Sequence, residues 1–330
     1  MAMLPASFTL WCDKGGKRYQ MRGACSKCIL EEQDGQLAES LSIELANMRA
    51  AGTYIGSAID PGDILHLSCD DGDRKGELFH GPIWTQEYRH DSQSLAITCY
   101  DPLIYMQNSQ DALFFPAGKT TQSIFQTICS RWKVPLHYTY TSISHGKKAW
   151  MGNQISDMFL ELLKEVRAKS GAAYRMRYEN NAFDVAYRGN NSIIYKLCSG
   201  ENATAASFGR SMENVVTRVL ITGKEDKNGN APVEATLDGQ YGYRYGTLQK
   251  VQSRDSNTTL AAAKATATQL LWDNRLPKQT YMVDAVDCPF LRKGDLIYNY
   301  TGANGGQVKV VVASVAHDLV KDTMSLELET

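Results

Sequence analysis

A β-rich α+β fold is the class this sequence predicts, with two barrel-like antiparallel β domains separated by a small helical α+β insert. Three observations carry it. Between Phe8 and Tyr100 short runs alternate polar and apolar residues between turn-forming pairs, the pattern of antiparallel hairpins. After Asn108 the apolar residues recur at three- and four-residue spacing, the helical period. From Asn214 the alternation returns. These shifts divide the chain into 1–108, 109–199 and 200–330.

Each element follows from its own residues. In the first segment the turns fall at Gly15-Gly16, Asp34-Gly35, Pro61-Gly62-Asp63, Asp71-Gly72-Asp73 and Gly81-Pro82. Ser40 to Leu45, Asp63 to Ser68 and Ser94 to Tyr100 alternate as strands with one wet face. Asp101-Pro102 ends the last of them, because proline donates no amide hydrogen and holds its predecessor extended. In the middle segment Thr120 or Thr121 caps a helix carrying Ile124, Phe125, Ile128, Cys129 and Trp132, which stops before Val134-Pro135. Ser156 caps a second, with Phe159, Leu162, Leu163 and Val166 on one face and Gly171 as its left-handed stop. A hairpin follows, from Ala173 to Tyr187, turning at Asn180-Asn181.

In the last segment Val215 to Thr222 is a strand, followed by a turn at Lys227-Asn228-Gly229, since Asn-Gly favours hairpins. Asn257 or Thr258 precedes a helix running from Leu260 to about Asn274. The chain closes with strands from Val308 to Val315 and Thr323 to Glu329, joined around Lys321-Asp322. In the final strand Met324, Leu326 and Leu328 share one face.

Composition limits the function classes. The chain has 330 residues, 43% of them hydrophobic, enough for two or three ordinary domains. With 35 basic against 36 acidic residues, the whole-chain charge offers no footprint for nucleic acid or a membrane surface. The opening MAMLPASFTL lacks the basic start and apolar core of a secretion signal, and no run approaches the ~18 apolar residues of a membrane span. Synthesis in the cytoplasm is therefore expected. Cysteines at 12, 25, 28, 69, 99, 129, 198 and 288 lack the dense spacing of a secreted disulfide scaffold and read as reduced, buried thiols.

No motif supplies a complete chemistry. Cys25-Ser26-Lys27-Cys28 could clasp one tetrahedral metal, yet no second ligand pair exists, and residues three apart in a strand face opposite ways unless a turn intervenes. The six histidines, 66, 80, 90, 137, 145 and 317, show no metal-binding spacing. Asp70-Asp71-Gly72-Asp73 and Asp226-Lys227-Asn228-Gly229-Asn230 misplace the glycine of a calcium loop. Gly302-Ala303-Asn304-Gly305-Gly306 precedes no helix and so makes no phosphate loop. Asp101 stands without a catalytic partner. It reads as a turn residue at a domain exit, its carboxylate capping nearby amides. No metal or cofactor is expected.

The run "GPIWTQEYRHDSQSLAITCYDPLIYMQNSQDALFFPAGKTTQSIFQTICSRWKVP" resembles the XkdQ/YqbQ-type hub proteins of contractile phage tails and phage tail-like bacteriocins. A Gly-led strand pair enters a Tyr-Asp-Pro-Leu exit, then a Thr-led helix closing at Trp-x-x-Pro. "NVVTRVLITGKEDKNG", "YRYGTLQKV" and "VASVAHDLVKDTMSLELE" follow in the same order. The resemblance implies a structural baseplate hub: a homotrimer whose six barrels form a ring adapting a six-fold tail tube to a three-fold spike. Its implied partners are the tube or a tube-initiator protein, the central spike and other baseplate proteins, with neither nucleic acid nor membrane in the resting assembly. Assembly into a virion or bacteriocin tail after cytoplasmic synthesis is implied too. On this reading Tyr100, Asp101, Pro102 and Leu103 shape the first barrel's exit without performing chemistry. Tyr245, Gly246, Leu248 and Gln249 play the comparable part in the second.

Two readings compete. A tail-associated cell-wall hydrolase needs an acid and base pair, which the sequence does not nominate. A carbohydrate- or receptor-binding β module would use exposed Trp11, Trp84 or Trp150 as its platform.

Overall fold

The computed structural model describes residues 7–50, 53–224, 230–254, 258–301 and 307–329. Strand makes up 49% and helix 18%, so the chain adopts the β-rich α+β class. The Lys227-Asn228-Gly229 turn, Asn257 and the 302–306 glycine run lie outside the described residues. Contacts gather the chain into two units. One runs to Ser207 and resumes at Tyr281; the other is Phe208–Thr280.

In the larger unit, hydrogen-bonded neighbours run in the order Thr323–Glu329, Val308–Asp318, Cys25–Glu32, Ser40–Ala46, Ser94–Tyr100, Lys75–Arg89, Ile64–Asp70, Ser7–Lys14 and Lys17–Gln20. Each of these pairs is antiparallel. The order is an open path, and among the described residues no closed barrel is found. The last segment does not stay apart. Its strand Val308–Asp318 pairs with Cys25–Glu32, from Val315↔Glu32 to Asp318↔Ile29, and the residues of 200–330 are divided between the two units. The final strand keeps its expected phase, with Met324, Leu326 and Leu328 all buried.

Gly81-Pro82, expected as a turn, lies inside the 15-residue strand Lys75–Arg89. Lys75 to Pro82 pair with Ile64–Asp70, whereas Ile83 to Arg89 pair with Ser94–Tyr100. The dipeptide therefore marks where one strand changes partner, a corner at which a missing amide and a missing side chain are tolerated.

The middle segment has its own core. Helix Thr121–Arg131 starts on Thr120, whose side chain accepts from Ser123 N at 3.2 Å. Helix Ile155–Ser170 begins after Gln154, which makes no side-chain cap, so Ser156 lies within the first turn. Gly171 ends it with φ 72°. Phe125 stacks on Phe159 at 4.4 Å between centroids, and Phe159 lies 5.2 Å from Phe183. Strands Tyr174–Glu179 and Ala182–Tyr187 form the hairpin, with Asn180 and Asn181 at φ 51° and 58°. A third strand, Leu136–Tyr138, adds to it in parallel.

In the smaller unit Arg218–Thr222 is the centre of a three-stranded sheet. It runs antiparallel to Val233–Asp238 and parallel to Gln249–Ser253, where only antiparallel pairing was expected. The short helix Gly242–Tyr245 lies on the crossover that makes parallel pairing possible. Helix Leu260–Asp273, capped by Thr259, buries Ala263, Ala267 and Leu271 against Val216, Val219 and Ile221.

Candidate functional site

The exit at Asp101 sits between two cores. Cys99 packs with the first β segment, whereas Leu103, Ile104 and Met106 belong to the core of the middle segment together with Leu37 and Ala38. Asp101 is buried. Its Oδ2 accepts from Glu39 N at 2.9 Å and its Oδ1 from Leu103 N at 2.8 Å, while its own amide donates to Glu39 O at 3.0 Å. Gln107 Oε1 accepts from the amides of Leu37 and Ala38, both at 2.9 Å. Pro102 ends the ladder, and the chain turns into the short helix Ile104–Gln107. Tyr100 meets Trp84 edge to face at 6.1 Å, and its carbonyl lies over Gly81.

A buried ion network surrounds this exit. Arg292 Nε and Nη2 each donate to Glu32 at 2.9 Å, and Nη2 reaches Glu39 Oε2 at 3.0 Å. Lys293 donates its amide to Glu32 at 2.8 Å and its ammonium to the carbonyls of Gln33 and Gln36. Arg177 Nη1 binds Asp295 Oδ1 at 2.9 Å, and Arg177 Nη2 lies 2.8 Å from Glu179. Burial pushes the Asp101 carboxyl up to about 7, against the two amide hydrogen bonds that pull it down. Glu32 is also raised by burial, but Arg292 outweighs this and holds it at about 2. A cleft of about 530 Å³ opens here, with Glu39, Asp101, Arg177, Arg292 and Asp295 among its lining. The network joins residues from all three expected segments.

Sequence reasoning missed every member except Asp101, because the partners lie far apart in the chain. One signal was available. Cys28, Leu30 and Glu32 share the inward phase of their strand, so a carboxylate follows two core residues and needs a buried partner.

The second motif lies in the smaller unit. Tyr245 ends the short helix, and Gly246 takes φ 75° and ψ −169°. Thr217 Oγ1 donates to Gly246 O at 2.7 Å and accepts from Leu248 N at 2.8 Å, and Gln249 pairs with Arg218.

The other sequence candidates are placed as follows. Cys25 and Cys28 are both buried in the first core, because a bulge between Cys25 and Lys27 rephases the strand. Among the described residues no group of three or more His, Cys, Asp or Glu is placed to hold a metal. Trp150 is buried and donates to Glu161 at 2.7 Å; Trp11 stacks on His66 at 5.2 Å; Trp84 is 39% exposed. Of the three, Trp84 alone is exposed, meeting Tyr100 and Tyr105 edge to face at 6.1 Å. Thr121 Oγ1, His145 and Glu165 align at 2.7 and 2.6 Å like a nucleophile, base and orienting acid. Thr121 has no exposure, which seals its hydroxyl from any polymer.

Asp101→Asn is expected to cost about 1 kcal/mol, because its amide nitrogen must face an N–H donor on one side. Thermal melting of the folded variant measures this. Unchanged stability would remove the capping role.

The YQBQ-like family model matches residues 30–329. The chain is 24% identical over 306 residues to the phage-like element PBSX protein XkdQ of Bacillus subtilis (strain 168), covering 88% of this chain and 92% of that protein. It is 23% identical over 278 residues to YqbQ of the same organism, covering 82% and 80%. Among solved structures, the prophage MuSo2 43 kDa tail protein from Shewanella oneidensis matches with a TM-score of 0.71 at 12% identity, over 98% of both chains. A tail protein from Neisseria meningitidis MC58 gives 0.69 at 13%, over 98% of this chain and 97% of that one. The E. coli c3393 protein, a component of the type VI secretion system, gives 0.56 at 11%, over 94% and 75%. The structures show a common fold, and the family match spans nearly the whole chain from the end of the strand Cys25–Glu32 to the last strand: the protein belongs to the YQBQ-like family.

Proposed function

We propose that this chain is the structural hub of a contractile phage-tail or tail-like bacteriocin baseplate. Three copies form a ring that adapts the six-fold tail tube to the three-fold spike. The observation that carries this reading is the end-to-end correspondence of fold with a prophage tail protein, 98% of both chains. The β strands of 1–108 and 200–330 are the ring-forming parts, and 109–199, with its separate core, is the insert between them. Its partners are its own copies, the tube or a tube-initiator protein, the spike and neighbouring baseplate proteins, without nucleic acid or membrane contact at rest. The protein is made in the bacterial cytoplasm and acts in the assembled tail. The Tyr100-Asp101-Pro102-Leu103 and Tyr245-Gly246 with Leu248-Gln249 corners shape the chain and catalyse nothing. The sealed Thr121 hydroxyl supports this over a wall hydrolase, and the scattered tryptophans support it over a glycan-binding module.

Electron microscopy of the chain assembled with its cognate spike tests the reading. Three copies in a closed ring are expected. One copy per spike, or an open chain of subunits, would sink the hub assignment, and clearing of a cell-wall suspension by the pure protein would favour the hydrolase.

A further inference from the structure

Four nearly enclosed carboxyls, Glu32, Glu39, Asp101 and Asp295, meet three cations at the junction among the described residues, Arg177, Arg292 and Lys293. Glu32 and Asp295 are bound through both oxygens, to Arg292 and Lys293 in one case and to Arg177 and the Arg292 amide in the other. Asp101 has two amides. Of these four, Glu39 is served on one side: Oε2 reaches Arg292, whereas Oε1 is enclosed and meets no hydrogen-bond partner among the described residues. The flanking layer brings no surplus of positive charge, since Arg175 faces both Glu179 and Asp184. An enclosed anionic oxygen without a donor is costly enough that such a group neutralises instead.

We propose that Glu39 carries a proton in the folded protein at neutral pH, so that the junction tightens in mild acid and loosens in base. Burial raises this carboxyl most. Arg292 and Lys293 pull it down, while the negative charges of Glu32 and Asp101 push it further up. These groups act on Glu39 most strongly, from the strand Cys25–Glu32, the exit and the 292–293 loop; Glu77 and His80 of the strand Lys75–Arg89 and Arg177 and Glu179 of the hairpin line the same cleft. In the unfolded chain a glutamate ionises near ~4.3, so folding at neutral pH takes up the proton. This stability is complete below the unfolded value and is lost as pH rises through the folded one. Each proton taken up changes the unfolding constant about tenfold per pH unit within that window.

Glu39→Gln keeps the shape and removes the titration. Urea unfolding at pH 6, 7 and 8 should show a shallower pH dependence in the variant, by up to about tenfold in the unfolding constant per pH unit. The variant should also be at least as stable as wild type at pH 8. Parallel profiles, or a variant weaker at every pH, would overturn the proposal. Should Glu39→Gln fail to fold, unfolding Asp101→Asn in weakly buffered solution at pH 7 decides it, because the Asp101 carboxyl, itself pushed up to about 7, would otherwise release protons of its own. Net proton release supports the proposal, and no release, or uptake, rejects it.

Discussion

Gly81→Ala is expected to destabilise the protein by about 3 kcal/mol, the upper part of the range for overpacking. A Cβ at this position would lie 1.9 Å from the carbonyl oxygen of Tyr100 and 2.8 Å from its carbonyl carbon. Both atoms are backbone, so no side chain can swing aside. The neighbouring Asp101 is fixed in turn by its bonds to Glu39 and Leu103. Relief would require parting the strand corner from the exit it covers. Urea denaturation measures the loss, and a variant within about 0.5 kcal/mol of wild type, the ordinary spread for harmless substitutions, would show that the corner yields freely.

Arg292→Met should cost about 3–5 kcal/mol at neutral pH, the range for removing one partner of a buried ion pair. Glu32 would keep only the Lys293 amide, and Glu39 would lose its single donor. The sign of the pH dependence follows from Glu32. Held at about 2 in the folded state, it contributes stability above its unfolded value near ~4.3 that disappears as pH falls towards 2. Without Arg292, burial raises Glu32 and the carboxyl takes up a proton instead. The gap between variant and wild type should therefore be widest at neutral and alkaline pH and narrow in acid. Denaturation curves at pH 7.5 and 5 measure this. A constant gap would assign the loss to packing alone. Arg292→Lys should recover only part of it, because an ammonium cannot donate in parallel to both oxygens of Glu32 while reaching Glu39.

Local structure was legible wherever one stretch of chain decided it. The 174–187 hairpin with its Asn180-Asn181 turn, the Thr120-capped helix and the Gly171 stop needed only neighbouring residues. Ser156 was two residues late, because Gln154 caps the helix with no side-chain hydrogen bond. Gly81-Pro82 misled for a different reason. A glycine and a proline weaken a ladder equally at a turn and at a corner, and only the partners of Lys75–Arg89 tell the two apart. The Cys25-Cys28 spacing gave no hint of the bulge that brings both thiols inside. The ion network was the least legible part, since Glu32, Asp101, Arg177 and Arg292 meet only after the strands have paired.

The pairing of Cys25–Glu32 with Val308–Asp318 also sets a timetable. Glu32 leaves the ribosome some 280 residues before Val315, its partner in register. At elongation rates of ~5–20 residues per second, that edge waits roughly 15 to 60 s for its neighbour. During this interval the strand, paired with Ser40–Ala46 on one side only, leaves its other edge open to pairing with another nascent chain. Yield in cells should therefore depend on how quickly the chain between Glu32 and Val315 is translated, and on whether a chaperone shields the early edge until its partner arrives.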